Sequence, residues 1–335
     1  MRKLALTMLA VGTMIAASAA PLATSAGAED FLPAVVYDMG GKFDKSFNQA
    51  AFDGAERFKA ETGIEYREFE VTNPSQREQA IRNMARRGAT IVIGIGYAQA
   101  AAVEKVAMEF PNVKFTLIDG VVDLPNVQSV VFKEHEGSFL VGMAAAMASK
   151  TGKVGFIGGM DIPLIRKFAL GYEEGARYVD ADVRVYQNMT GTTPSAWNDP
   201  TKGGELARSQ FDRGVDVIYA AAGGTGVGVY QAAKDSGKLA IGVDSNQNYI
   251  HPGTMLTSMI KRVDVAIYDA WKTAMAGTWQ PGFKVLGLAE EGVGYAVDEH
   301  NEHLLTTDMR RRLDQARDDI ISGNLKVTDY MEANQ

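Results

Sequence analysis

Apolar and polar positions fall into long alternating blocks from residue 33 onward. The apolar run Ala34–Tyr37 precedes a helical pattern near Ser46–Thr62, and Tyr66–Val71 precedes one near Ser75–Arg87. Ile91–Ile95 leads into a helix from about Ala98 to Glu109, and Phe115–Ile118 ends at Asp119-Gly120. This strand–helix rhythm predicts an α/β fold, a parallel sheet with helices on both faces. The strands lack polar alternation, as expected when both faces of a sheet are covered. A second series begins with a strand at Val127–Phe132 and a helix at Glu134–Lys150 rich in Ala, Gly and Met. It continues with strand Lys153–Ile157, helix Pro163–Val179, strand Val183–Tyr186 and a polar loop from Thr190 to Asp199. Helix Lys202–Arg213 and strands Val215–Ala220 and Leu239–Val243 follow, with a helix between the two strands.

The two series resemble each other. Arg87-Gly88, an apolar strand, a glycine loop, an Ala-rich helix and a strand closing on Asp119 recur as Arg213-Gly214 through to Asp244. The pattern predicts two similar α/β lobes that face one another, with Asp119 and Asp244 across one cleft. In open α/β sheets ligands sit beyond the carboxyl ends of strands. The strand Thr254–Ile260 and helix Arg262–Ala276 are too little for a domain and are expected to complete the first lobe. Gly282–Val297 reads as irregular, and Glu299–Ser322 as a terminal helix. The expected division is 29–133 plus about 247–283 for the first lobe, and 134–246 plus about 284–335 for the second. Repeated crossings between lobes make a hinge.

Residues 1–28 read as a secretory signal peptide: Arg2 and Lys3, an apolar stretch Leu4–Ala20, then small residues Ala26-Gly27-Ala28. Export to the periplasm follows from this reading. The chain has no cysteine, which excludes disulfides, thiolate metal sites and a lipid-modified cysteine. The expected product is a free periplasmic protein, not a lipoprotein. Removing the signal leaves about 305 residues, beyond a single core of usual size. The formal charge of −7 disfavours nucleic acid and anionic membranes as partners. A monomer is expected.

The candidate chemistry gathers at the strand tips. Asp38 ends the first strand, and Asp44-Lys45-Ser46 opens a helix carrying Phe47, Asn48 and Gln49 in its first turn. Phe47 at a helix start suits stacking on a flat ligand. Trp197, in a polar loop, is the candidate second jaw of an aromatic clamp. Ionised Asp38, Asp119 and Asp244 only accept hydrogen bonds, so they suit the hydroxyls of a sugar. Lys261 follows a strand directly and either donates to a ligand oxygen or balances these acids. Gly223-Gly224 opens a helix after a strand, and its N–H groups are placed for a ligand hydroxyl. The run Gly223–Gly228 imitates a dinucleotide fingerprint, but the third glycine falls on Val229. No cofactor and no metal are expected; His300 and His303 read as solvent-facing. Nothing assembles a catalytic set.

The stretch Asp38-x-Gly-Gly-x-x-Asp44-x-Ser46-Phe47-Asn48-Gln49, with Ile118-Asp119-Gly120, Gly242-Val243-Asp244 and Ser258-x-x-Lys261, resembles the basic membrane protein family of ABC-transporter substrate-binding proteins. The resemblance runs from about residue 33 to 320. It implies the type I periplasmic binding protein fold, two Rossmann-like lobes with a hinge and an interlobe ligand cleft. It implies nucleoside binding, purine nucleosides foremost, and delivery to an inner-membrane ABC permease. Phe47 would stack on the base, with Asp38 and Asn48 near its edge, and Asp119, Asp244 and Lys261 would take the ribose. Two features depart from the family: the missing lipidation cysteine, and tryptophan where the second stacking residue is commonly phenylalanine. The alternatives are a receptor for a sugar or signalling molecule, or an exported nucleoside-acting hydrolase.

Overall fold

The computed structural model describes residues 31–334. The proposed signal peptide lies outside the described residues. The first series of elements is β1 (Pro33–Tyr37), α1 (Phe47–Thr62), β2 (Arg67–Glu70), α2 (Arg77–Arg86), β3 (Ile91–Ile95), α3 (Ala100–Glu109), β4 (Lys114–Ile118) and β5 (Val127–Phe132). The second is α4 (Glu134–Ala148), β6 (Lys153–Met160), α5 (Pro163–Val179), β7 (Arg184–Gly191), α6 (Pro200–Asp212), β8 (Val217–Ala221), α7 (Gly226–Asp235), β9 (Leu239–Asp244) and β10 (Met255–Lys261). The chain closes with α8 (Val263–Met275), β11 (Gly282–Leu286), β12 (Val293–Tyr295), α9 (Thr307–Ile321) and α10 (Tyr330–Ala333). No described helix is long and apolar enough to cross a membrane.

Two six-stranded sheets result, with orders β11-β5-β4-β3-β1-β2 and β12-β10-β9-β8-β6-β7. Position for position, β1 to β5 of one sheet match β6 to β10 of the other. Each sheet is parallel apart from β12, which runs antiparallel to β10. The central strands β1, β3 and β8 are buried along their whole length, which is why they read as unbroken apolar runs.

The strand near Thr254–Ile260, expected from sequence to complete the first lobe, belongs instead to the second. It is β10, parallel to β9 in the second sheet and the counterpart of β5. The helix after it, α8, does return to the first lobe and packs along α1. Gly282–Val297 is not irregular throughout, because β11 extends the first sheet and β12 the second. The terminal helix starts at Thr307, not Glu299: the Thr306 side chain caps it by accepting from the Met309 N–H, and His300 and His303 precede it. The chain therefore crosses between lobes three times: after β5, after β10 and between β11 and β12. Two of these crossings, at Glu134 and Lys261, border the cleft.

The helices that carry cleft residues are locked closely. A Cβ on Gly142 would lie 2.1 Å from the Tyr172 carbonyl oxygen, and one on Gly175 1.9 Å from that of Phe139. Only glycine lets α4 and α5 approach this far, and the approach fixes Glu134 against Lys167.

Candidate functional site

On the first lobe, the loop after β1 is organised by Asp44. Its Oδ1 accepts the backbone N–H of Ser46 (2.8 Å) and Gln49 (3.1 Å), and its Oδ2 that of Asn48 (3.1 Å). These donors would otherwise be unsatisfied at the start of α1. Burial pushes the Asp44 carboxyl upward, against these bonds. The Asn48 side chain donates to Asp44 (3.2 Å) and to the Asp38 carbonyl (3.4 Å), while its Oδ1 accepts the Asp38 N–H (3.3 Å). Its amide is thus committed to shaping the loop. Asp38 is held by Arg77, whose Nε (3.0 Å) and Nη2 (2.8 Å) both donate to Oδ1. Its Oδ2 lies against Gly96, where a Cβ would come within 3.0 Å.

On the second lobe, Trp197 ends a short 3-10 turn, Pro194–Trp197. Its indole lies on Gly159, where a Cβ would fall 2.2 Å from the ring. Gly223 and Gly224 pass beneath the Trp197 carbonyl oxygen, at 3.2 and 3.3 Å from their would-be Cβ atoms. From α5 come Leu164, Ile165 and Phe168. Lys261, at the end of β10, is 1 % exposed, with Phe132, Phe47 and Phe168 rings 4.9, 5.1 and 5.5 Å from its ammonium.

The two strand-tip aspartates adopt the same unusual backbone: φ is 64° at both Asp119 and Asp244. Left-handed residues other than glycine are uncommon and gather at functional sites. Each carboxylate is gripped from the opposite lobe. Lys261 Nζ donates to Asp119 Oδ2 at 2.6 Å, and Ser46 Oγ donates to Asp244 Oδ2 at 2.6 Å. Two more bonds tie the same loops: Ser245 Oγ to the Ser46 carbonyl (2.9 Å) and Gln247 Nε2 to that of Lys45 (2.9 Å). Burial is the largest influence on Asp119 and Asp244 and pushes both carboxyls up; Lys261 opposes the rise. The Asp119 Oδ1 is buried and accepts no hydrogen bond among the described residues.

Lys261 has a second partner, Glu134 Oε1 at 2.9 Å, and Glu134 Oε2 meets Lys167 Nζ at 3.1 Å. Lys167 continues to the Phe132 carbonyl (2.7 Å) and Asp329 (3.1 Å). Burial raises the Glu134 carboxyl, but the flanking lysines outweigh it and hold it below its ordinary value. Burial pulls the Lys261 ammonium down, and its three acidic neighbours more than reverse that.

These groups surround one interlobe cavity whose atom-free space, open solvent at its mouth included, is about 630 Å³. Asp38, Phe47, Asn48, Asp119, Trp197, Gly223, Asp244 and Lys261 all line it; Gly224 lies just behind, under Trp197. Asp44, Tyr97, Leu164, Ile165 and Phe168 also line it and were not picked out as site residues from sequence. Phe168 falls on the apolar face of an amphipathic helix, which marks core as readily as cleft. Tyr97 follows a glycine loop at the β3 tip, the position that Gly223-Gly224 holds after β8; that repeat was the signal available. Its hydroxyl reaches Met160 of the other lobe at 3.4 Å. Elsewhere, Asp298, Glu299 and His300 bring ligand-type atoms within 4.8 Å of one another on an exposed turn. The Asp298 carboxylate there is already bonded by Asn246 and Asn248.

Comparison with known proteins agrees with this architecture. A solved solute-binding protein of an ABC transporter system from Aeropyrum pernix superposes with a TM-score of 0.82 at 30 % identity, covering 89 % of this chain and 93 % of that one. The ABC transporter nucleoside-binding protein BmpA of Lactococcus lactis is 31 % identical over 321 residues, 89 % of each chain. An uncharacterized lipoprotein of Pyrococcus abyssi is 34 % identical over 316 residues, 88 % of this chain and 77 % of its own. Residues 31–329 match the Bmp family, described as ABC transporter substrate-binding protein PnrA-like. With two like lobes closing on one lined cavity and a family match across nearly the whole described chain, the protein belongs to this family of extracytoplasmic substrate-binding proteins, which are not enzymes.

Proposed function

We propose that the protein is a periplasmic receptor that closes on a nucleoside, a purine nucleoside foremost, and delivers it to an inner-membrane ABC permease. The observation that carries this reading is the pairing of chemistries in one cavity. Aromatic faces from both lobes, Phe47, Phe168 and Trp197, suit a planar base. The carboxylates Asp119 and Asp244 suit hydroxyl donors, and the spare Asp119 oxygen has no donor among the described residues. Lys261 acts mainly by holding Asp119 in place. The relative from Lactococcus lactis named as nucleoside-binding supports the same ligand class. Ligand contacts to both lobes stabilise the closed form, and the three crossings supply the hinge. Residues 1–28 serve in this reading as the cleaved signal that directs export.

Calorimetric titration with inosine, guanosine, adenosine and free ribose tests the reading. It predicts binding of at least one nucleoside far tighter than ribose. Equal or tighter binding of ribose, or no response to any nucleoside, contradicts it.

A further inference from the structure

The cavity walls carry four carboxylates, Asp38, Asp44, Asp119 and Asp244, against one ammonium, Lys261, a formal charge of −3. The charged groups behind the walls leave that balance unchanged. Arg77 is spent on Asp38, and Glu134 is spent on Lys261. Beyond Glu134, Lys167 is shared between Glu134 and Asp329. Lys261 is therefore the single cation facing the cavity among the described residues, and it is saturated from two sides: Asp119 at 2.6 Å in front and Glu134 at 2.9 Å behind. Both acids are nearly removed from water, so neither is swung aside into solvent at low cost.

A lone buried ammonium beside sugar-binding acids would attract phosphate, the group that distinguishes a nucleotide from a nucleoside. Glu134 removes that attraction. It does not line the interlobe cavity itself but the adjoining pocket beside Tyr97, Asp119 and Leu164, and its burial at the start of α4 sets its carboxylate against Lys261 and Lys167. We infer that Glu134 is a specificity-determining residue: by completing the neutralisation of Lys261 it makes the site refuse anionic ligands, nucleoside phosphates in particular, while accepting uncharged ones. This deepens the nucleoside reading and rests on it.

The test measures affinity for inosine and for inosine 5′-monophosphate by calorimetry in the wild type, Glu134→Gln and Glu134→Asp. The wild type is expected to prefer the nucleoside by at least a hundredfold. Glu134→Gln is expected to narrow that preference by tenfold or more, and Glu134→Asp to restore most of it. A general loosening of the site would weaken both ligands together and leave the ratio unmoved, which separates specificity from mere support. Where Glu134→Gln fails to fold, the double variant Glu134→Gln with Lys167→Met removes the buried pair together and should narrow the ratio in the same way. An unchanged ratio in a folded variant overturns the inference while leaving the nucleoside reading intact. A wild type that binds the monophosphate as tightly as inosine does the same. A wild type that binds neither ligand ends both.

Discussion

The two lobes share a strand order and the same left-handed turn at their cleft tips, yet they hold those tips by different chemistry. At the end of β4, Asp119 meets an ammonium from the opposite lobe; at the end of β9, Asp244 meets a hydroxyl from the opposite lobe. The partners are not repeat-related. Lys261 ends a strand, whereas Ser46 precedes a helix. The duplicated backbone thus fixes where an acid stands. The surrounding non-equivalent loops decide whether that acid is ion-paired or neutrally bonded. One tip is tied into a buried charge chain; the other is tied to a loop that Asp44 shapes.

The sharpest way to break this comparison is to remove each partner. Lys261→Met leaves Asp119 and Glu134 buried without their shared cation and should cost about 3–5 kcal/mol in urea unfolding. Equal losses from Lys261→Met and from Ser46→Ala would show that the two tips are held alike after all.

A pH series sharpens the contrast next. Burial, partly offset by Lys261, pushes the Asp244 carboxyl up to about 6 from its ordinary 3.8. The folded protein then binds this proton more tightly than the unfolded chain, so the stability contributed by Asp244 is greatest at low pH. That contribution is lost as pH rises through about 6. Asp244→Asn, which cannot ionise, should gain on the wild type by about 2–3 kcal/mol between roughly pH 4 and 7. Thermal unfolding at several pH values checks this, and a constant difference between the two proteins would refute it.

Phe47→Ala leaves both tips intact but strips one aromatic face. Loss of a base stack of about 1–3 kcal/mol predicts nucleoside binding weakened by about tenfold or more. Unchanged calorimetric affinity would remove Phe47 from the ligand contacts. The smallest effect belongs to Ser46→Ala, about 1–2 kcal/mol of stability for one buried hydrogen bond to a charged acceptor.

Much of this arrangement was legible in the chain. Unbroken apolar runs such as Ile91–Ile95 announce buried parallel strands, and the spacing of Gly88–Asp119 repeated in Gly214–Asp244 announces two lobes. The placement of β10 was not legible. An apolar run reads the same in either sheet, and only the crossing through α8 decides which strand it borders. Glu134 and Lys167 were missed for a related reason. A glutamate in the first turn of a helix ordinarily faces water and favours the helix dipole. Here the close approach of α4 to α5 buries it between two lysines. The role of Asp44 as the cap of α1 depends on loop geometry that residue spacing does not encode.

The central claim is that one ligand touches acids from both lobes at once. The most direct measurement is the calorimetric affinity for inosine of Asp119→Asn and Asp244→Asn, each variant confirmed as folded. The account predicts that each loses at least tenfold, because each lobe contributes its own acceptor to the same ligand. Wild-type affinity in either variant would place the ligand on one lobe alone and contradict it.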